Sequence, residues 1–166
     1  MARRVRLNPL RGSHLPVLVR ALKATTGPVV ELGAGMYSTP FLHAMCEAEE
    51  RKLVTFENDS EYYGWATAFK SPLHDVCKVD EWDDVDLASV RWTVAFVDHA
   101  PNDRRWKEVV RLTHAEYVVC HDSNVRWMRK YNYDKAYPLF KYQKQYREKH
   151  PNTVVLSNSH PVEQMW

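Results

Sequence analysis

The sequence predicts an α/β fold: a mostly parallel central sheet with helices on both faces and an antiparallel hairpin at the C-terminal end. Three observations carry this. Short apolar runs at 29–32, 53–56, 93–97 and 117–120 are continuous rather than alternating, as strands buried on both faces are. Segments with helical spacing separate them. The first run ends in Glu31 and a Gly33-Ala34-Gly35 turn, and a helix start at Ser38-Thr39-Pro40 follows at once.

Each element has its own justification. A helix at 14–25 places Leu15, Leu18, Val19 and Leu22 on one face, and Gly27-Pro28 ends it. Strand 29–32 leads into a helix at 39–50 with Phe41, Leu42, Met45 and Cys46 together. Strand 53–56 precedes a helix at 60–70, opened by a cap at Asp59 or Ser60. A shorter strand is expected at 76–79, and 82–90 fits neither period. Strand 93–97 is followed by a helix at 102–114 with Trp106, Val109, Val110 and Leu112 as its apolar set. After strand 117–120, residues 125–140 are aromatic, basic and unassigned. Residues 141–147 alternate, and 153–156 forms a last strand. This gives five βα steps and a hairpin.

Composition excludes several classes. The chain has 166 residues, 45% hydrophobic and 27% charged, which suits one soluble domain. No run approaches the ~20 apolar residues that cross a bilayer, and the basic N-terminus lacks a signal-peptide core. No membrane partner is expected. Cys46, Cys77 and Cys120 show no metal-ligand spacing and read as free thiols in a reducing cytoplasm. Net charge is +2, but unevenly spread. Residues 1–26 carry six bases and no acid, 27–125 nine bases and eighteen acids, and 126–149 eight bases and two acids. Basic ends suit either a phosphate-bearing partner such as nucleic acid or an ordinary solvated surface.

Parallel strands joined by right-handed crossovers bring every strand-to-helix turn to one edge, where ligands bind. Each of these turns carries an acid: Glu31 at the first, Glu57-Asn58-Asp59, Asp80-Glu81-Trp82, Asp98-His99 and His121-Asp122-Ser123-Asn124. Gly33 and Gly35 let the backbone approach a ligand, and the helix start presents free amides. The third glycine of the dinucleotide fingerprint is replaced by Ser38. With Glu31 before the turn, this favours S-adenosylmethionine over a pyrophosphate cofactor. Glu57 is placed to accept from both ribose hydroxyls, a natural match for a carboxylate. Trp82 is either an adenine-stacking ring or a packed core aromatic.

The order ELGAG (31–35), TFEND (55–59), FVDH (96–99) and VCHDSN (119–124) resembles the class I S-adenosylmethionine-dependent methyltransferases, over roughly residues 28–124. It is most similar to the small O-methyltransferases that include catechol O-methyltransferase. The FVDHAP and HDS pattern is also shared with small bacterial or viral methyltransferase-like proteins. The resemblance implies a single-domain Rossmann-like methyltransferase fold over 1–166. It implies a cofactor set of Glu31, Gly33, Ala34, Gly35, Ser38, Glu57, Asn58, Asp80, Trp82, Asp98 and His99. It implies catalytic roles for Asp98, His99 and Asp122, and a Mg²⁺ site at Asp98, Asp122 and Asn124. Here Ser123 stands between Asp122 and Asn124, and Pro101 stands where the family has its catalytic Lys. The general base would then be His99, His121 or the metal alone.

The expected function is methyl transfer to an oxygen of a small hydroxyl-bearing acceptor. An RNA ribose or cap methyltransferase and a degenerate S-adenosylmethionine-binding or interaction domain are the alternatives. Asp98-His99-Ala100-Pro101 in place of an Asn-Pro-Pro-Tyr turn argues against base N-methylation. The rings from Trp127 to Tyr146 form either an acceptor or nucleic-acid platform or the packing of the hairpin.

Overall fold

The computed structural model describes residues 8–166. The predicted basic segment therefore lies partly outside the described residues. Among the described residues seven strands join one sheet in the order β3-β2-β1-β4-β5-β7-β6. They are β1 (Val29–Leu32), β2 (Leu53–Glu57), β3 (His74–Lys78), β4 (Val94–Val97), β5 (Tyr117–Cys120), β6 (Tyr142–Tyr146) and β7 (Thr153–Ser157). The first five are parallel; β7 runs antiparallel between β5 and β6. The order of strand addition reverses between β1 and β4, which are parallel neighbours despite two intervening strands in the chain.

The continuous apolar runs exist because both sheet faces are covered. Val29, Val94, Phe96, Tyr117, Val119 and Val155 pack on one side with Val17, Leu18, Ala21 and Leu22 of α1 (Leu15–Lys23) and Leu42 and Cys46 of α2 (Ser38–Ala48). Their alternates Val30, Leu32, Ala95, Val97, Val118 and Leu156 pack on the other side. There they meet Val109 of α4 (Arg105–Arg111) and Leu112 just past its end. The edge strands β3 and β6 are less buried than the central ones, and β3 alternates in burial over residues 74–76, as strands with one wet face do.

Several boundaries differ from expectation. β3 begins two residues earlier, at His74, because His74 pairs with Leu53 at the start of β2. The helix expected at 60–70 is α3 (Ser60–Ala66) with a tighter turn after it, capped by Asp59, whose Oδ1 accepts from the amides of Glu61 and Tyr62 at 2.8 and 3.0 Å. The helix expected at 102–114 is shorter, since residues 102–104 form a separate tight turn. The unassigned stretch contains α5 (Val125–Lys130) and two short turns, with Tyr133 fully buried. No helix among the described residues is long and apolar enough to cross a membrane.

Arg51 fixes how α1 meets the sheet. It is buried at 3% exposure. Its Nε donates to Gly27 O at 2.8 Å, and its Nη atoms donate to Leu22 O, Thr25 O, Thr25 Oγ1, Thr93 Oγ1 and Glu49. One guanidinium thus satisfies the carbonyls at the end of α1. Arg51→Met keeps the stem and orphans these acceptors. We expect a loss of about 3–5 kcal/mol, read from urea unfolding. An unchanged midpoint would overturn this role for Arg51.

Candidate active site

The turn after β1 is built around Gly33, at φ +96. A Cβ there would stand 2.6 Å from His99 Cα and 2.7 Å from His99 N. The glycine is thus demanded by the crossing of the β1 and β4 turns as well as by any ligand. A Cβ on Gly35 would lie 2.7 Å from Ser38 Oγ. Among the described residues no side chain caps α2 at Tyr37; the Thr39 amide donates to Gly35 O at 3.0 Å and Pro40 carries none, which leaves the Ser38 amide for another acceptor.

Glu31 holds this turn from below. It is fully buried and does not line the cleft; its Oε2 accepts from Thr39 Oγ1 at 2.9 Å and Thr55 Oγ1 at 2.7 Å, and Thr39 Oγ1 accepts from the amide of Gly35 at 2.9 Å. Glu31 Oε1 has no hydrogen-bond partner among the described residues. Burial pushes the Glu31 carboxyl up to about 7.

An open cleft of about 680 Å³ lies outside the carboxyl ends of β1, β2, β4 and β5. Ala34, Gly35, Ser38, Glu57, Asp98, His99, His121 and Asp122 line it, so the structure brings together most of the residues expected at that edge. Glu57 is 5% exposed. Its Oε2 accepts from the amide of Ala34 at 2.7 Å and its Oε1 from that of Asp59 at 2.5 Å. Two backbone donors fix the carboxylate and leave lone pairs on both oxygens for a vicinal diol. Burial raises its pKa, which these amides oppose.

Other expected residues lie elsewhere. Asp80 is exposed and lines a separate hollow with Lys78, Glu81 and Asp84. The Asn58 carbonyl accepts from Lys78 Nζ at 2.6 Å, and Asn58 is not part of the cleft wall. Trp82 is a core aromatic: its Nε1 donates to Ala100 O at 3.0 Å and its ring lies 4.1 Å from that of His99. It reaches the cleft only through His99. His99 itself is tied inward, with Nε2 3.1 Å from Glu108 Oε2 and Nδ1 3.2 Å from Ala100 O. Neither nitrogen is placed to serve as a base.

Arg105, which the sequence analysis did not single out, organises the far side. Its Nη2 lies 2.8 Å from Asp98 Oδ1 and its Nη1 3.2 Å from Asp122 Oδ2. It also donates to His99 O at 2.7 Å and Asp98 O at 3.0 Å, and it sits 4.9 Å from the centre of the Tyr131 ring. A signal was present: 105, 108, 109 and 112 share the buried face of α4, so Arg105 stands where an apolar residue would. Asp122 adopts φ +56, a sharp turn that swings its carboxylate towards this guanidinium.

His121 completes the cluster. Its Nδ1 lies 3.1 Å from Asp98 Oδ2 and its Nε2 3.0 Å from Ser13 Oγ. Ser13 Oγ spends its proton on Pro151 O at 2.7 Å, so it must accept from His121. Both His121 nitrogens therefore carry protons. Burial alone would lower the His121 pKa; the Asp98 carboxylate outweighs it and raises the value. Burial likewise opposes ionisation of Asp98, but His121 and Arg105 hold its carboxyl well below the usual range.

A divalent cation between Asp98 and Asp122 does not fit this donor set. The Arg105 guanidinium already bridges the two carboxylates. Asn124, the expected third ligand, accepts from the Asn152 amide at 2.8 Å and pairs with His150 Nδ1 at 3.2 Å, tying its loop to the hairpin. The aromatic segment divides. Tyr133, Tyr137, Phe140 and Tyr146 are buried packing, whereas Trp127 and Tyr131 form a wall of the cleft.

No protein-family profile and no curated protein matches the chain. Solved structures do match. Cofactor-bound Rv0187 from MTB aligns with a TM-score of 0.66 at 14% identity, over 95% of this chain and 84% of its own. The Bacillus cereus O-methyltransferase in complex with SAH aligns at 0.61 and 12% identity, over 93% and 84%. The N-terminal domain of human METTL16 with SAH aligns at 0.62 and 12%, over 94% and 73%. The chain has the Rossmann-like methyltransferase fold. The fold implied by the motif resemblance is thus the fold observed.

The raised Glu31 pKa gives a signed prediction. An acid whose folded pKa exceeds its unfolded value of 4.5 costs stability as pH rises from there through about 7. Glu31→Gln removes this titration and keeps an acceptor for Thr39 and Thr55. The stability of the variant relative to the parent should rise between pH 5 and 8, by on the order of 3 kcal/mol. A pH-independent difference in urea titrations would contradict the assignment.

Proposed function

We propose that the protein is an S-adenosylmethionine-dependent methyltransferase acting on an oxygen of a small hydroxyl-bearing acceptor. The observation that carries this reading is Glu57: a buried carboxylate, aligned by two backbone amides, at the cleft edge of a methyltransferase fold. It would hold the ribose diol, with Ala34 and Gly35 passing beside the amino-acid end of the cofactor. The uncapped start of α2, including Ser38, would meet the carboxylate. Bound S-adenosylmethionine supplies an already activated methyl group, so transfer depends on in-line placement more than on acid–base chemistry.

Placement falls to the far side of the cleft. Trp127 and Tyr131 wall it, and Asn8, Leu10, Arg11, His150 and Pro151 close round its mouth. Asp122 Oδ2 is taken by Arg105, while Asp122 Oδ1 lies 3.8 Å from His121 Nδ1, beyond hydrogen-bond reach. That oxygen is left to accept from an acceptor hydroxyl and orient it. A cleft of about 680 Å³ falls in the range of small-molecule sites, shared here by cofactor and acceptor.

Calorimetry with S-adenosylmethionine and its demethylated product tests the cofactor half. Glu57→Gln should weaken both by about 1.5–3 kcal/mol, roughly 10- to 150-fold. A folded parent protein that binds neither would remove the reading, and an unaffected variant would remove Glu57 from the site. Methyl transfer assayed against small phenols and alcohols beside RNA tests the acceptor half; transfer confined to RNA would reassign the acceptor.

A further inference from the structure

We propose that His14, Asp98 and His121 form a binding site for a divalent transition-metal ion of the zinc class. The inference does not depend on the methyl-transfer reading. It begins from His14, directly ahead of α1. This side chain is 2% exposed, lines the inner wall of the cleft, and has no hydrogen-bond partner on either ring nitrogen among the described residues. A buried imidazole without partners costs free energy that a phenylalanine at the same place would not. Its ring lies 4.7 Å from Phe96 and 4.7 Å, edge-on, from His121.

The surrounding donors complete a set in which an ion would engage one of the two unpartnered His14 nitrogens. One ligand atom each from His14, Asp98 and His121 lies within 4.8 Å of the other two. Asp98 Oδ2 and His121 Nδ1 are 3.1 Å apart. That is about the separation of two adjacent donors on one ion with bonds of roughly 2.0–2.1 Å. An ion there replaces the proton His121 Nδ1 otherwise places on Asp98.

The supporting contacts match those of metal ligands. The remote His121 nitrogen donates to Ser13 Oγ, which donates to Pro151 O, and so fixes the ring orientation. Asp98 Oδ1 is held by Arg105 at 2.8 Å, which turns Oδ2 towards the histidines. Asp122 pairs with the same guanidinium and offsets its charge. Two imidazoles and one carboxylate suit zinc-class ions rather than Mg²⁺. The site uses the opposite side of Asp98 from the one Arg105 occupies.

The test uses the full chain, stripped with chelator, titrated with Zn²⁺ by calorimetry and with Co²⁺ by visible absorption. The parent should bind one ion per chain, with Co²⁺ bands lacking a thiolate signature. His14→Phe should lower Zn²⁺ affinity at least ~100-fold while far-ultraviolet circular dichroism is retained; His14→Gln decides the point if phenylalanine does not fold. His43→Ala should leave binding unchanged, which separates this site from the His43–His74 pair, whose Nδ1 atoms are 3.2 Å apart. No stoichiometric Zn²⁺ binding by the folded parent would overturn the proposal. So would parent-like affinity in a folded His14 variant, or loss of binding in His43→Ala.

Discussion

The Arg105 guanidinium is the contact on which the functional edge depends. It joins the turn after β4, the turn after β5, the start of α4 and the Tyr131 ring that follows α5. Two carboxylates at the ends of adjacent strands would repel in a partly buried setting. One delocalised cation with five fixed donors answers both, and the backbone carbonyls of Asp98 and His99 as well. Lysine offers a point charge and could not span these acceptors. The same contact explains why the acid pair does not require a metal. The protein supplies the bridging charge itself.

Much of this edge was legible in the sequence because its constraints are local or repeat at every strand. Gly33 was readable as a turn glycine, since a positive φ has few other occupants. Glu57, Asp98 and Asp122 were readable because each ends a strand and parallel strands end together. Asp80 ends a strand too, but β3 is the outermost strand and its turn opens on a separate hollow. Which acids converge is a property of strand order, and order is not local. In the run Asn102-Asp103-Arg104-Arg105 the spacing to Val109 and Leu112 marks Arg105 as the inward-facing arginine, but does not say what it meets. Only the pairing of β4 with β5 makes it a bridge. His14 was read as the first residue of a helix, and nothing in the chain around it announces that its ring lies against His121.

The two halves of the cleft are held by different means. The Glu31–Gly35 half is set by backbone crossing at close quarters and by a buried network of Glu31, Thr39 and Thr55. Such a half changes shape only if the β1 and β4 turns separate. The opposite half is built from side chains of residues 8–14, of α5 and of the turn between β6 and β7. In the proposed reading the first half would hold the cofactor and the second the acceptor, so that the acceptor could change without disturbing the cofactor.

Charge balance sets what the cleft can hold. Asp98 and Asp122 are matched by Arg105 and protonated His121, so this four-residue cluster carries no net charge of its own. A sulfonium placed there gains little from long-range attraction. In the proposed reading, affinity for the cofactor then rests on directed bonds, above all those of Glu57 and the Ser38 amide. An acceptor hydroxyl gains from the same neutrality: it enters a polar site without displacing a counter-ion, and Asp122 Oδ1 can orient it while Arg105 keeps that carboxylate fixed. A divalent ion at His14, Asp98 and His121 shifts the balance to the positive side even as it displaces one proton. The site would then favour an oxygen that has shed its own proton, because the added charge stabilises the anion.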